Sequence, residues 1–339
     1  MLSVQQSTVA VDDLDSSAAL GALVGEAIEQ RWPRGSSLLD RICRYALVPS
    51  GKLFRPVLLL ESALAVGGSP RAVLPAAVGA ECGHVASLIH DDIIDDDDLR
   101  RGRASVQHKF GIGDAIVAGD ALIFDLFAGL AECHDRGVPD GQVVRALESV
   151  ARAGVDLCRG QSLEAEICRN LTFDAGLYIT MARLKTASFF RGACESGAIL
   201  GGGPAAWVTA LATYGDQLGI AFQIHDDLLT YTSSSAATGK PDISDVHNGR
   251  LTLPVILAYE TACPADRNRI KAALTSCEDA VEALAMLREV LSGTGAIASA
   301  VRIARGYAAS ARDALEVVPA TASRDRLIWL AGQVINRDH

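Results

Sequence analysis

The chain predicts an all-α protein, on three observations. Apolar residues recur at helical spacing along almost all of its 339 residues. Hydrophobic residues make up 49% of the chain and aromatic residues only 5%, so Ala, Leu, Val and Ile carry the packing, which favours helix on helix. Glycine and proline clusters fall between the periodic stretches rather than inside them.

In chain order, helices are expected at about 18–31, 36–48, 53–67, 71–99, 112–134, 140–168, 172–200, 204–232 and 249–262, with three more to the C-terminus. A polar, acidic stretch, residues 1–17, precedes them and is expected to be flexible. Gly51-Lys52-Leu53-Phe54-Arg55-Pro56 opens the third helix. Gly67-Gly68-Ser69-Pro70, Gly201-Gly202-Gly203-Pro204 and Cys263-Pro264 each stop one helix and start the next, with proline near the new N-terminus. Ser233 to Ser244 is the one long loop inside the pattern, and a loop of that length is often a lid. No internal repeat or linker stands out, so residues 18–339 read as one domain.

The bulk numbers exclude several classes. A net charge of −10 argues against a nucleic-acid partner. No run of 18 uncharged apolar residues is present, so no membrane span is expected. The N-terminus lacks a basic segment followed by an apolar one, so no signal peptide is expected. Eight cysteines form no CxxC pair and lie mostly in apolar helical pattern, as reduced core thiols of a cytoplasmic protein would.

Two aspartate clusters carry the chemistry. The first is His90-Asp91-Asp92-Ile93-Ile94-Asp95-Asp96-Asp97-Asp98, followed by Leu99 and then Arg100-Arg101-Gly102-Arg103; the second is Gln223-Ile224-His225-Asp226-Asp227. On a helix Asp91 and Asp95 share a face. Their repulsion asks for a cation, and an oxygen-only cluster suits Mg²⁺ shared with substrate phosphates. Arginines close by suit bidentate phosphate contact. Lys52 and Arg55 share a face at a helix start, where an anion can be held. His84 lies two helical turns before Asp91, on its face. His90 and His225 face off the carboxylate stripe and read as structural. Lys185, charged within an apolar helix, needs an anionic partner. Gln223 lies on the face of Asp226 and can turn its carbonyl oxygen toward developing positive charge.

Taken in order, Gly51-Lys52-x-x-Arg55-Pro56, His84, Asp91-Asp92-x-x-Asp95 with Arg100-Arg101-Gly102, Gly160-Gln161-x-x-Glu164, Lys185-Thr186, and Phe222-Gln223-x-x-Asp226-Asp227 with Gly239-Lys240-Pro241 and Thr252-Leu253-Pro254 resemble the trans-isoprenyl diphosphate synthases, the polyprenyl synthetase family, over nearly the full length. Within it the chain looks like a geranylgeranyl or longer-chain synthase. The resemblance implies an all-α, single-domain bundle of roughly ten or more helices around a deep central cavity, usually a homodimer. It implies that Asp91, Asp95 and Asp226, assisted by Asp92 and Asp227, bind about three Mg²⁺ ions that grip an allylic diphosphate. Arg100, Lys185 and Lys240 would hold that diphosphate. Lys52, Arg55, His84 and Arg101 would hold isopentenyl diphosphate (IPP). Thr186 and Gln223 would face the allylic carbons. The chemistry then needs a stabilised leaving group rather than a protein nucleophile.

The chain departs from the family pattern at Thr230, where a third Asp is usual, and at Arg250, where Lys is usual. Short-product members carry aromatics just upstream of the first Asp. Here Ala86 and Ser87 stand there, which argues for products of C20 or longer, with Phe124 and Phe127 as a deeper floor. Three other readings share parts of the pattern. A class I terpene cyclase has the first Asp motif, a related prenyltransferase uses another acceptor, and a non-catalytic subunit pairs with an active synthase.

Two outcomes follow from the sequence. Ala86→Phe should shorten the product in a chain-length assay. Thr230→Asp should lower the Mg²⁺ concentration needed for half-maximal rate, and no change would mark the position as silent.

Overall fold

The computed structural model describes residues 16–35, 37–232, 244–276 and 279–335. Those residues are helical apart from one two-stranded hairpin and connecting turns, as the periodicity predicts. Ser16 caps α1 (Ser17–Arg31) by accepting from the Ala19 amide at 3.1 Å. Ser37 and Asp40 form a capping box at the start of α2 (Leu38–Leu47). α3 (Phe54–Ala65) and the 26-residue α4 (Pro70–Asp95) follow.

α4 ends four residues earlier than its apolar pattern suggests. Asp96 turns left-handed, and β1 (Leu99–Arg100) pairs antiparallel with β2 (Arg103–Ala104). Arg101 and Gly102 form the turn, both at positive φ (52° and 72°), which is the backbone a two-residue hairpin requires. A short α5 (Val106–Phe110) leads into α6 (Ile112–Glu132) and the long α7 (Asp140–Asn170).

The stretch expected as one helix over 172–200 is interrupted. α8 (Ala175–Ala182) passes through a wider, π-type turn at Arg183–Ala187 into α9 (Ser188–Leu200). Such turns bulge a helix outward and recur at functional sites; this one carries Lys185 and Thr186. α10 (Ala205–Thr232) is the central helix. Leu218 and Ala221 pack into one hydrophobic cluster and Ile220, Ile224 and Leu228 into the other. After the undescribed segment come α11 (Ser244–His247) and α12 (Leu253–Thr261). Four helices rather than three complete the described chain: α13 (Pro264–Thr275), α14 (Ala280–Thr294), α15 (Ala296–Ala314) and α16 (Ala322–Val334).

Close approaches of backbone fix the bundle. A Cβ on Gly129 of α6 would lie 2.4 Å from the Pro75 carbonyl oxygen, and one on Gly79 of α4 would lie 2.8 Å from that of Leu126. α4 and α6 therefore meet main chain to main chain. Far from the sheet-like hairpin, buried Glu61 on α3 accepts from Arg326 of α16 at 2.6 Å and from Ser17 of α1 at 2.9 Å, tying both ends of the described chain to α3. α4 is long and apolar enough to cross a membrane, and most of its apolar stretch is buried among the other helices. Cys43, Cys82, Cys133 and Cys194 are buried thiols, while Cys158 and Cys263 are exposed.

Gly160 of α7 is the closest of these approaches to the polar centre. A Cβ there would stand 2.2 Å from the Lys185 amide nitrogen and 2.6 Å from its Cα. Backbone cannot yield as a side-chain tip can, so Gly160→Ala is expected to destabilise the fold by about 1–3 kcal/mol. A lowered denaturation midpoint would show this; an unchanged one would mean that α7 separates from the π-type turn at no cost.

Candidate active site

A large cavity opens between α4, α7, α10 and the hairpin. α4 lines it with His84, Ser87, Asp91 and Asp95, and α10 with Gln223, Asp226 and Thr230. The hairpin contributes Arg100 and Arg101, the π-type turn Lys185 and Thr186, and α7 Glu164. Residues far apart in sequence thus converge, and the two aspartate clusters face one cavity.

Each carboxylate has a distinct environment. Asp91 is half-buried, and burial raises its pKa, with Lys185 opposing the shift and Asp95 adding to it. Asp95 is paired with the Arg250 guanidinium, which also donates to Asp245 at 2.9 Å. Asp92 is 2% exposed and turned away from the cavity. It accepts from Arg100 Nε at 2.7 Å, so it orients that arginine rather than facing the cavity itself. Asp227 is also buried, at 5% exposure. Its Oδ2 accepts from the Tyr178 hydroxyl at 2.6 Å and its Oδ1 from Gln223 Nε2 at 2.7 Å. Burial, followed by the charge of Asp245, pushes its pKa up to about 8, while the two hydrogen bonds pull it down. The chain continues, because Thr186 Oγ1 donates to Gln223 Oε1 at 2.5 Å. Tyr178, Asp227, Gln223 and Thr186 form one relay that fixes the amide, its oxygen on the side of Thr186. Asp92 and Asp227 are each hydrogen-bonded to a neighbour that lines the cavity, Arg100 and Gln223 respectively.

The cations are placed with similar care. Lys185 Nζ donates to Glu164 at 2.5 Å, the anionic partner its position demanded. Gly160 and Glu164 lie one turn apart on α7, so the close backbone approach at the first sets the ion pair at the second. Arg55 stacks 4.6 Å over the Phe190 ring, and burial lowers its pKa to about 10, so it stays charged at neutral pH. His84 is held neutral by burial and by the charges of Arg55, Arg101 and Arg100. The Arg101 guanidinium lies over Gly51, where a Cβ would come within 2.5 Å of it. Lys52 is exposed and outside the cavity lining. His90 faces α6, with Nε2 3.7 Å from Asp120, which agrees with a structural role. Lys240 falls outside the described residues.

Arg55 and Phe189 line both this cavity and a deeper, narrow apolar chamber. The chamber walls include Leu59, Ala80, Leu126, Leu130 and Val150. The residues expected from the sequence to set the floor lie mostly outside this lining. Ala86 is fully buried and lines neither space, because it shares the α6-facing stripe with His90. Phe124 is 74% exposed on the outer face of α6, and Phe127 lies outside the chamber lining. Leu126 and Leu130 point inward instead. The repeat Leu122–Leu126–Leu130 at four-residue spacing was the signal that identifies that face. Ser87 does line the polar cavity. Tyr178, Asp245 and Glu81, the last buried beneath Arg55, were not singled out by sequence.

Among the described residues, no three acidic, His or Cys side chains converge into a ready-made cation site. Asp91, Asp95 and Asp226 offer only oxygens to the shared cavity, a donor set that fits a hard cation completed by ligand phosphates and water.

The molecule is similar to known proteins over nearly its whole length. A sequence profile of the family described as Polyprenyl synthetase matches residues 36–291. A short chain isoprenyl diphosphate synthase of Methanothermobacter thermautotrophicus is 36% identical over 301 residues, covering 89% of this chain and 91% of that one. The crystal structure of geranylgeranyl pyrophosphate synthetase from Pyrococcus horikoshii superposes with a TM-score of 0.86 at 32% identity, over 94% of this chain and 96% of that one. A polyprenyl synthase from Caulobacter crescentus, complexed with calcium and isoprenyl diphosphate, gives a TM-score of 0.87 at 28% identity, over 98% of this chain and 100% of that one. With the convergent acidic and basic residues above, these likenesses establish that the chain belongs to the polyprenyl synthetase family and is a prenyltransferase of the isoprenyl diphosphate synthase kind.

Proposed function

We propose that the chain joins IPP head-to-tail to an allylic diphosphate and releases an all-trans polyprenyl diphosphate of C20 or longer. One observation carries this reading: opposed acidic rows, Asp91 with Asp95 and Asp226, share a cavity with Arg and Lys side chains, and that cavity leads past Arg55 and Phe189 into an apolar chamber. Relatives named geranylgeranyl and geranylfarnesyl diphosphate synthases support the product class.

Asp91, Asp95 and Asp226 would hold about three Mg²⁺ ions, which when bound neutralise charge on a departing diphosphate. Lys185, Lys240 and Arg100 hold the allylic diphosphate by charge-assisted hydrogen bonds. Arg100 is aimed by Asp92. Arg55, Arg101 and neutral His84, which line the cavity, hold the diphosphate of IPP; a neutral imidazole can donate one N–H there without adding charge. The allylic C–O bond breaks and its electron pair leaves with the diphosphate. The alkene of IPP forms the new C–C bond, and the released diphosphate takes the proton that is lost. Thr186 and the Gln223 carbonyl oxygen face the cationic carbons, pre-oriented by Asp227 and Tyr178. The apolar walls exclude water that would quench the cation. A homodimer is supported by the exposed apolar row Ile112, Ile116, Val117 and Phe124 along one face of α6.

Purified protein with Mg²⁺, IPP and, separately, C5, C10, C15 and C20 allylic diphosphates should consume IPP and yield products of C20 or above by mass. No IPP consumption with any primer would contradict the reading and favour the cyclase, other-acceptor or subunit alternatives. Within the same assay, Ala80→Phe should shorten the product by filling the chamber wall, and Leu126→Ala should lengthen it. Unchanged lengths in both would place the limit outside this chamber.

A further inference from the structure

Glu81 is a buried acid that plays no part in the chemistry described so far. We propose that Glu81 is a positioning residue for Arg55: its carboxylate anchors the guanidinium at the floor of the polar cavity, offsets its repulsion with Arg101, and so sets the affinity for IPP. This rests on the reading of Arg55 and Arg101 as the grip on the diphosphate of IPP.

Helix geometry places the acid. Glu81, His84, Leu88, Asp91 and Asp95 follow one another at alternating spacings of three and four residues, so they form one stripe along α4. The last four line the polar cavity. Glu81 continues the stripe one turn deeper, outside that lining and 2% exposed. Its neighbours on α4, Ala76 and Ala80, wall the apolar chamber. A carboxylate in such a place is costly unless an opposite charge answers it. Arg55, on the first turn of α3, lines both the cavity and the chamber, and so stands at the same level.

Burial pushes the Glu81 carboxyl up, and the charges of Arg55 and then Arg101 pull it back. The dependence is mutual. Burial lowers the pKa of Arg55, Glu81 and then Asp226 oppose that, and Arg101 adds to it. Two acids therefore compete for Arg55. Drawn to Asp226, the guanidinium would leave the place where IPP is held; drawn to Glu81, it stays on the floor. Among the described residues, Glu81 Oε2 and Arg55 Nε are both buried without a hydrogen-bond partner. The pair thus acts through charge rather than through a closed fork of hydrogen bonds, which leaves the donors of Arg55 to a substrate anion. Phe190 fixes the plane of the guanidinium from 4.6 Å. Other cations of the cavity have an acid of their own, Asp92 for Arg100 and Glu164 for Lys185. Glu81 is the corresponding acid for Arg55.

The experiment is steady-state kinetics of the full-length protein with Mg²⁺, varying IPP and the allylic diphosphate in turn. Glu81→Gln keeps the shape and removes the charge. It should raise the KM for IPP about tenfold, well beyond any change in kcat or in the KM for the allylic diphosphate. Glu81→Asp keeps the charge and should recover most of that affinity. Because Glu81 acts through Arg55, adding Glu81→Gln to Arg55→Gln should raise the KM for IPP no further than Arg55→Gln does alone. The double variant also leaves no unpaired charge of this pair, so it serves should Glu81→Gln alone fail to fold. An unchanged KM for IPP in Glu81→Gln, equal rises in both KM values, or additive effects in the double variant would each overturn the proposal while leaving the proposed function standing. An unaltered protein that consumes no IPP would overturn both together.

Discussion

Repulsion among carboxylates around one cavity is the constraint on which the rest of the structure depends. Asp91, Asp95, Glu164, Asp226 and Asp245 all line it. Two like charges roughly 4 Å apart repel by about 4 kcal/mol at an effective dielectric of about 20. The fold offsets this with paired cations: Arg250 between Asp95 and Asp245, Lys185 on Glu164, and Arg100 on Asp92. Two of these cations are tied to a local backbone feature. Arg100 sits on the hairpin strand, and Lys185 on the π-type turn. A diphosphate entering with divalent cations meets both signs of charge already held in place.

The backbone irregularities make sense in that light. A continuous helix from Ala175 to Leu200 would rotate Lys185 and Thr186 to other faces. The wider turn brings both to the cavity, and Gly160 lets α7 come close enough for Glu164 to receive the lysine. A continuous α4 would carry Arg100 up the helix axis. The left-handed Asp96 and the hairpin fold it back onto Asp92 instead. Asp92 and Asp227 stand next in sequence to cavity-lining aspartates, yet a rotation of about 100° per residue turns them inward. Their carboxylates became scaffolding for Arg100 and Gln223.

Much of this was legible in the sequence, and the failures share a cause. Helical periodicity and the Gly/Pro breakers placed the long helices, because a 3.6-residue repeat survives without tertiary context. Motif order brought Arg55, His84, Asp91, Asp95, Lys185, Gln223 and Asp226 to one site. The hairpin at 99–104 was missed because its strands are two residues long, too short for a period-two pattern, although Arg101-Gly102 is a turn pair in hindsight. The π-type turn leaves no periodic trace at all. Ala86 and Phe124 are floor candidates by analogy of position, and the rotation of each helix about its axis leaves both outside the chamber lining. Asp245 stands 15 positions after Thr230 in the sequence, and only the fold could bring it beside that hydroxyl.

The most direct test of the central claim is a crystal structure with Mg²⁺ and an unreactive allylic diphosphate analogue. The account predicts the diphosphate between Asp91 and Asp95 on one side and Asp226 on the other, contacting Lys185 and Arg100, with its hydrocarbon tail running past Phe189 toward Leu126. A diphosphate bound away from either acidic row, or a tail that leaves the apolar chamber empty, would contradict it.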